Sequence, residues 1–237
     1  MKLWMNCLKA KTKMSFELAP NPKAQLTPAM IAYEDDYLLV IDKPAGMLVH
    51  PTVNERGFTL YDYVSNYYAR QNIDAGIHPV SRLDRNTSGL VIFAKEPVVQ
   101  FWLSQQQMKK AYLAIITGTL PADAGIIDAP IARKEGSIIE RCVDFDKGKH
   151  AKTAYKLLRK VKDKLLVELQ LFTGRTHQIR VHMAYIGCPL FNDNLYGQPG
   201  PQSRHALHAY KIGFVHPVSD IPMEITRELP VDMRSLL

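Results

Sequence analysis

The segment Ser81–Phe93 carries the residues best suited to chemistry in this chain. Its sequence is Ser-Arg-Leu-Asp-Arg-Asn-Thr-Ser-Gly, followed by the apolar stretch Leu90–Phe93. Asp84 stands between Arg82 and Arg85, and nearby positive charge favours the ionised form of a carboxyl group. An ionised carboxylate at the mouth of a strand suits a nucleophile or a base. For the charged triplet alone, a solvated surface turn is the more common explanation.

The same segment resembles the signature of the RluA family of RNA pseudouridine synthases. That signature is Arg-Leu-Asp, two variable residues, Thr-Ser-Gly and an apolar strand. The resemblance implies that Asp84 is the nucleophile. Three further segments resemble the family's other motifs and follow in the same order along the chain, so a chance match is remote.

The first of these segments, Tyr33–Pro51, precedes the aspartate. A buried strand is predicted at Tyr37–Ile41, ended by a Lys-Pro-Ala-Gly turn at Lys43. A second short apolar run closes at Pro51, which predicts a hairpin. A hairpin needs no chemistry, and we interpret this segment as scaffold.

The second segment contains Lys110-Ala111-Tyr112 at the start of a β-branched stretch. Strand propensity alone explains a tyrosine there. The resemblance implies instead that Tyr112 lies against the target base. A phenol can stack on a uracil face and still present a polar oxygen.

The third segment joins a strand to a helix. Apolar residues alternate with polar ones over Leu165–Leu171, which predicts a strand with one buried face. After a turn, Thr176 is a natural N-cap for a helix ending at Ile186. That assignment puts Arg180 in the first turn, where the helix dipole disfavours a cation. The resemblance implies that Arg180 pairs with Asp84, although a surface arginine is equally compatible with the helix pattern.

The resemblance also suggests contacts with the substrate. In the family, the arginine before the aspartate helps to hold a flipped-out nucleotide, which points to Arg82. The remaining candidate substrate-binding residues lie in the same motifs: Thr87, Lys110, Arg175 and His177. The chain departs from the family at Ser81, where relatives usually have histidine. His78 lies three positions out of register and does not replace it.

The histidines and cysteines do not form a metal-binding pattern. His177 and His182 lie about 140° apart around a helix, too far to share one ion. His205 and His208 could share a face, but no third ligand lies near them in the sequence. The three cysteines are scattered, without the paired spacing of a zinc site. No phosphate-binding loop or dinucleotide fingerprint occurs, so the sequence predicts neither a metal nor a cofactor.

The composition is that of an ordinary globular protein. Of the 237 residues, 46% are hydrophobic and 22% charged, and no apolar run is long enough to span a membrane. Three cysteines without a pairing pattern favour a reducing compartment, and we predict the cytoplasm. Residues 1–14 are basic and lack the apolar centre of a signal peptide. We expect an extension there, either a disordered arm or a stretch ahead of a true start at Met14.

The net charge of +7 is concentrated in one part of the chain. Between Arg133 and Lys164, eleven Lys and Arg outnumber five Asp and Glu, a net of +6. Such a segment is usually a solvated face. In an RNA enzyme it could instead contact phosphates, which gives affinity without reading the base sequence. On that hypothesis the RNA path is lined by Lys147, Lys149, Lys152 and Lys156.

The pattern of elements predicts an α+β fold with a mixed, largely antiparallel sheet and flanking helices. The resemblance implies the same pseudouridine synthase fold, with an active-site cleft across its middle. The remaining predicted strands are Leu90–Ala94, Tyr112–Thr117, Ala154–Leu158, Leu207–Val215 and Met223–Thr226. The other predicted helices are Thr59–Arg70 and Pro97–Gln106. Long loops are predicted at Asp123–Lys149, partly stranded, and at Asn192–Arg204.

One catalytic domain is expected over residues 15–237. About thirty residues precede the first motif, too few for the S4-type RNA-binding module that many relatives carry. The resemblance implies an isomerase that converts specific uridines of ribosomal or transfer RNA to pseudouridine after flipping them out of the stack. The partner is therefore RNA, and a monomer is favoured.

Two alternatives belong to other classes. The first is a family member that only binds RNA, but such a protein would lack the aspartate, tyrosine or arginine that this chain retains. The second is a hydrolase with Asp84 as a glycosidic nucleophile. It would need a second carboxylate about 5 to 10 Å away, and no motif supplies one.

Overall fold

The computed structural model describes residues 24–52, 58–200 and 204–237, and the extension expected over residues 1–14 lies outside them. The described strands are β1 Ile31–Glu34, β2 Leu38–Lys43, β3 His78–Pro79, β4 Ser88–Ala94, β5 Lys109–Ile116, β6 Ala124–Asp128, β7 Ile131–Arg133, β8 Arg141–Val143, β9 Lys152–Val161, β10 Lys164–Leu171, β11 Leu207–Val215 and β12 Pro222–Thr226. The described helices are α1 Leu60–Gln71, α2 Pro97–Gln105, α3 Gln178–Tyr185 and α4 Val231–Arg234.

Ten of the described strands form one sheet. They follow the order β1-β2-β4-β11-β5-β10-β9-β6, with β3 also paired to β4 and β12 to β11. Among these strands, every pairing is antiparallel except that of β4 with β11. Strands β7 and β8 form a separate antiparallel pair. The prediction of an α+β fold with a mixed, largely antiparallel sheet is confirmed.

Helices cover both faces of the sheet around β2 and β4. Leu38 and Val40 of β2 pack in a cluster with apolar residues of α2, whereas Leu39 and Ile41 pack with α1 on the opposite face. All seven residues of β4 are buried. Because successive side chains of a strand point to opposite faces, a strand covered on both faces is apolar throughout.

Two apolar clusters, one packed against α1 and a larger one packed against α3, meet at Leu83, the residue before Asp84. Ile179 and Met183 of α3 pack on β5, β9 and β10. Leu83 packs against this cluster and also against the α1 cluster. The loop between β3 and β4 therefore lies over the boundary between the two halves of the sheet.

The Thr-Ser-Gly sequence forms the contact between β4 and β11. Thr87 is hydrogen-bonded to His205 at 2.9 Å, and Ser88 to His208 at 2.9 Å. Gly89 has φ +114°, and a Cβ atom there would lie 2.3 Å from the carbonyl oxygen of Ala209. Only glycine adopts this conformation without strain and lets the two backbones approach so closely.

Most predicted elements are present, with shifted ends. The predicted strand Ala154–Leu158 is longer, since β9 spans Lys152–Val161. The loop Asp123–Lys149 contains β6, β7 and β8. Strands β1 and β3 and helix α4 were not predicted, because they are short.

The predicted hairpin after Lys43 is wrong. The Lys-Pro-Ala-Gly turn forms, but the apolar run after it is not a strand. Its carbonyl groups accept hydrogen bonds at the start of α1, from the Leu60 amide to Leu48 at 2.8 Å and from the Tyr61 amide to Val49 at 3.0 Å. The first amides of a helix lack partners within it, so this run caps α1 instead of pairing with β2.

Candidate active site

Asp84 lies in a cleft of about 720 Å³ above the boundary between the two halves of the sheet. Its side chain is 30% exposed, and it is reached from the cleft. The cleft is lined by the β3–β4 loop, the start of β5 and the segment from the end of β10 into α3. These are the three segments that carry Asp84, Tyr112 and Arg180. The structure thus brings the three predicted catalytic residues to one site.

The loop that carries Asp84 is held from below by Lys43. The Lys43 side chain is fully buried, and its Nζ donates to the carbonyl oxygens of Pro44, Met47 and Arg85 at 2.9, 2.9 and 3.0 Å. The Gly46 amide donates to the same Arg85 carbonyl at 2.9 Å. Burial lowers the pKa of Lys43 to about 7, although the negative charge of Asp84 acts to raise it. The segment interpreted as scaffold therefore anchors the Asp84 loop directly.

Two side chains from a distant part of the sequence lie close to the Asp84 carboxylate. Arg180 Nη1 lies 3.6 Å from Asp84 Oδ2, and His177 Nε2 lies 3.8 Å from the same oxygen. Arg82 and Arg85, which flank Asp84 in the sequence, are both exposed. Arg180 is 8% exposed, so the alternative of a surface arginine is wrong.

Arg180 is clamped by Asp193, which the sequence analysis missed. Its Nε and Nη2 donate to the two carboxylate oxygens of Asp193, both at 2.7 Å. Burial raises the pKa of Asp193, but the hydrogen bonds and charge of Arg180 outweigh burial and hold that pKa below its usual value. Asp193 lies in a predicted loop, thirteen residues after Arg180. No short motif joins the two, and only the fold reveals the pair.

His177 occupies the N-cap position of α3, in place of Thr176. Its φ of 58° is left-handed, which is uncommon outside glycine. Its Nδ1 is hydrogen-bonded to the Tyr196 hydroxyl at 2.8 Å. Burial lowers the pKa of His177, and the charge of Arg180 lowers it further. The negative charge of Asp84 acts to raise it, but does not outweigh them. Thr176 is exposed, and the prediction that it caps the helix is wrong.

Tyr112 and Lys110 enter the cleft from β5. Tyr112 is 8% exposed. Burial raises the pKa of its phenol, and the charge of Asp84 raises it further. A neutral phenol suits contact with a base better than proton removal. Burial also lowers the pKa of Lys110.

The other predicted substrate-binding residues lie at different depths. Arg82 is exposed and lines the cleft. Arg175 is exposed at the rim, where its Nε donates to the His150 carbonyl at 2.9 Å. Thr87 lies at the floor, 2% exposed, with its hydroxyl bonded to His205.

Comparison with known proteins shows which family the chain belongs to. The family model for RNA pseudouridylate synthase matches residues 37–185. The chain belongs to the RNA pseudouridylate synthase family. It is an isomerase that acts on RNA.

Relatives of this synthase span most of its length. It is 38% identical to the uncharacterized RNA pseudouridine synthase YjbO of Bacillus subtilis, over 90% of this chain and 77% of the relative. It is 39% identical to ribosomal large subunit pseudouridine synthase D of Nitrosomonas europaea, over 91% of this chain and 66% of the relative. The structure of human RNA pseudouridylate synthase domain containing 4 shares the fold, with a TM-score of 0.73, 23% identity and coverage of 87% of this chain and 90% of that one.

The basic segment of the synthase has two ends with different surroundings. Lys152, at the start of β9, lies beside the end of β10. Its Nζ is 5.8 Å from the centre of the Phe172 ring, and Phe172 lines the cleft. At the other end of β9, Val161 pairs with Lys164, seven residues away from the cleft end of β10. No helix of the described residues is long and apolar enough to cross a membrane.

Two buried histidines of the synthase should make its stability depend on pH. Burial lowers the pKa of His205 to about 3 and that of His208 to about 4. Unfolding exposes both to water, where a histidine has a pKa of about 6.5, so below that value the unfolded chain binds more protons. These two histidines therefore cost no stability above about pH 7. The free energy of unfolding falls as the pH is lowered below that value. From pH 7.5 to 5.5 we expect a loss of about 1.3 kcal/mol for each histidine.

Urea unfolding at the two pH values measures this loss. His208→Gln should reduce the difference by about 1.3 kcal/mol, the share of that one histidine. Equal stability of the wild type at both pH values would contradict the prediction.

Proposed function

We propose that Asp84 is the nucleophile with which this synthase isomerises uridines in ribosomal RNA. The observation that carries the proposal is a half-buried carboxylate at the floor of an open cleft, with Arg180 and His177 at 3.6 and 3.8 Å. The fixed guanidinium of Arg180 places a positive charge beside the carboxylate. Both neighbours are farther than hydrogen-bond distance, so the oxygen remains available to a substrate.

The reaction exchanges one bond of the uridine for another. The N1–C1′ bond breaks, the uracil turns, and a C5–C1′ bond forms while C5 loses a proton and N1 gains one. Asp84 would attack the sugar or the base, or remove a sugar proton, and the same carboxylate serves all three routes. The reaction is redox-neutral and adds no group.

The cleft walls fit an extruded uridine. We assign Tyr112 to contact with the uracil, with Lys110 beside it on β5, and Arg180 to orientation of Asp84. A uridine must leave its stack to reach Asp84, at a cost of a few kcal/mol. Exposed Arg82 is placed to offset that cost by holding the flipped state, and Arg175 and His177 border the same opening.

Large-subunit ribosomal RNA is the proposed substrate, since the Nitrosomonas europaea relative is named for that subunit. We place the reaction in the cytoplasm and assign it to a single catalytic domain. Thr87 is proposed as a positioning residue, because His205 occupies its hydroxyl.

Pseudouridine mapping tests this proposal. Ribosomal and transfer RNA from cells lacking the gene would be labelled with carbodiimide and read by primer extension. We expect one or a few ribosomal sites to be lost, and to return with the wild-type protein but not with Asp84→Asn. Lost sites confined to transfer RNA would move the substrate to that pool. No lost site in either pool would favour a member that only binds RNA.

The lysines at and just before the start of β9 should provide phosphate contacts. We expect Lys147→Gln, Lys149→Gln and Lys152→Gln together to weaken RNA binding and to lower the slope of log affinity against log salt by about two. The matched control neutralises Arg159, Lys160 and Lys162, at the far end of β9. Filter binding at several salt concentrations measures both variants. If both triple variants bind as the wild type does, or lose affinity equally, the assignment of the RNA path to the cleft end is wrong.

A further inference from the structure

The segment after α3, from Asn192 to Gly197, lies behind the active site. Asp193 is fully buried and holds the Arg180 guanidinium through two hydrogen bonds of 2.7 Å. Its carboxylate also accepts the amides of Leu195 and Tyr196 at 3.1 and 3.2 Å. The carboxylate is therefore held by the amides of its own turn as well as by the arginine.

Tyr196 supports both groups that face Asp84. Its ring lies 4.9 Å from the Arg180 guanidinium carbon, in cation–π contact. Its hydroxyl is hydrogen-bonded to His177 Nδ1 at 2.8 Å and accepts the Arg141 amide at 2.8 Å. One tyrosine thus fixes the position of the arginine by its ring and of the histidine by its oxygen.

The clamp determines how Arg180 meets Asp84. Asp193 engages Nε and Nη2, which leaves Nη1 facing Asp84 at 3.6 Å. An arginine released from Asp193 could turn two parallel N–H groups onto the Asp84 carboxylate, as arginine does with isolated carboxylates. Such a pair would cover the oxygen that must react.

We propose that Asp193 and Tyr196 are positioning residues that hold Arg180 and His177 beyond hydrogen-bond distance from Asp84. The inference rests on the proposed role of Asp84 and Arg180. The segment keeps a positive charge next to the nucleophile and keeps the nucleophile uncovered. Preorganised charge of this kind is effective because it costs no reorganisation during the reaction.

A purely structural ion pair is the competing explanation, and a double-mutant cycle separates the two. The variants are Asp193→Asn, Arg180→Gln and the double variant, assayed by tritium release from ribosomal RNA labelled at C5 of uridine in cells lacking the gene. We expect Asp193→Asn to lower kcat at least tenfold with KM unchanged, and to cause no further loss when Arg180 is already glutamine. Equal losses in both backgrounds, or full activity of a folded Asp193→Asn protein, would overturn the proposal.

Tyr196→Phe provides a second, independent test if Asp193→Asn does not fold. This variant retains the ring below Arg180 and removes the hydroxyl bonded to His177. We expect kcat to fall in the wild type but not in a His177→Gln background, and equal effects in both would again overturn the proposal. Glu34→Gln is the control, because it breaks a partly buried ion pair with Lys95, 2.9 Å long, outside the cleft. It should lower Tm and leave kcat unchanged.

Failure of the proposed function and failure of the positioning role would give different results. Full activity of Arg180→Gln would contradict the proposed function of Arg180. Impaired Arg180→Gln with additive loss on Asp193→Asn would contradict only the positioning role.

Discussion

Replacement of Asp84 by asparagine should abolish pseudouridine formation and leave the fold intact. The amide has nearly the same shape as the carboxylate but is neither a nucleophile nor a base at neutral pH. Loss of a nucleophile typically lowers kcat by about 10⁴-fold or more. Arg180 and His177 lie 3.6 and 3.8 Å from the Asp84 carboxylate, and the Asp84 side chain is 30% exposed, so little stability depends on these contacts.

Tritium release from C5-labelled ribosomal RNA measures the activity, and thermal unfolding checks the fold. The matched control is Asp74→Asn, at an exposed position in the loop after α1, which should be fully active. Substantial pseudouridine formation by a folded Asp84→Asn protein would refute the nucleophile assignment.

Replacement of Lys43 by methionine should lower both stability and activity. Methionine fills a similar volume but leaves the carbonyl oxygens of Pro44, Met47 and Arg85 without their shared donor. An unsatisfied buried polar group costs about 1–3 kcal/mol, and we expect a total loss of about 3 kcal/mol. The Asp84 loop would lose its anchor, so kcat should fall at least tenfold.

Lys95→Met is the control for Lys43→Met. Lys95 is also a buried lysine, 7% exposed, but its partner is Glu34 outside the cleft. We expect its replacement to lower the free energy of unfolding in urea with kcat retained. If Lys43→Met showed this same pattern, the lysine would support the fold only, and the anchoring role would be wrong.

The proposed nucleophile and its main neighbours could be located in the sequence because they lie in contiguous motifs. Asp84, Tyr112 and Arg180 are each part of a short stretch with a recognisable order of residues. Asp193 and Tyr196 lie in a loop with no such order, and nothing local marks them as partners of α3. Lys43 was visible only as part of a turn, because its acceptor at Arg85 lies 42 residues away.

The fold was predicted best where one regularity dominated. The alternation over Leu165–Leu171 and the apolar stretch Leu90–Ala94 gave strands in the right places. The start of α3 was predicted wrongly because His177 adopts a left-handed conformation and occupies the N-cap position, where the sequence pattern favoured Thr176. The apolar run after Lys43 resembled a strand, but its carbonyl groups serve α1.

The parallel contact between β4 and β11 has a consequence for how the chain folds. Strands β1–β4 lie within residues 31–94 and β5–β12 within residues 109–226, so each half of the sheet is continuous in sequence. Two side-chain contacts that join the halves, Thr87 with His205 and Ser88 with His208, close loops of 118 and 120 residues. Such distant contacts form late, because loop closure must precede their stabilisation. Asp84 lies at the junction between the two halves of the sheet. We therefore expect refolding to restore most β-structure in a fast phase. Catalytic activity should return only in a slower phase, when the halves dock.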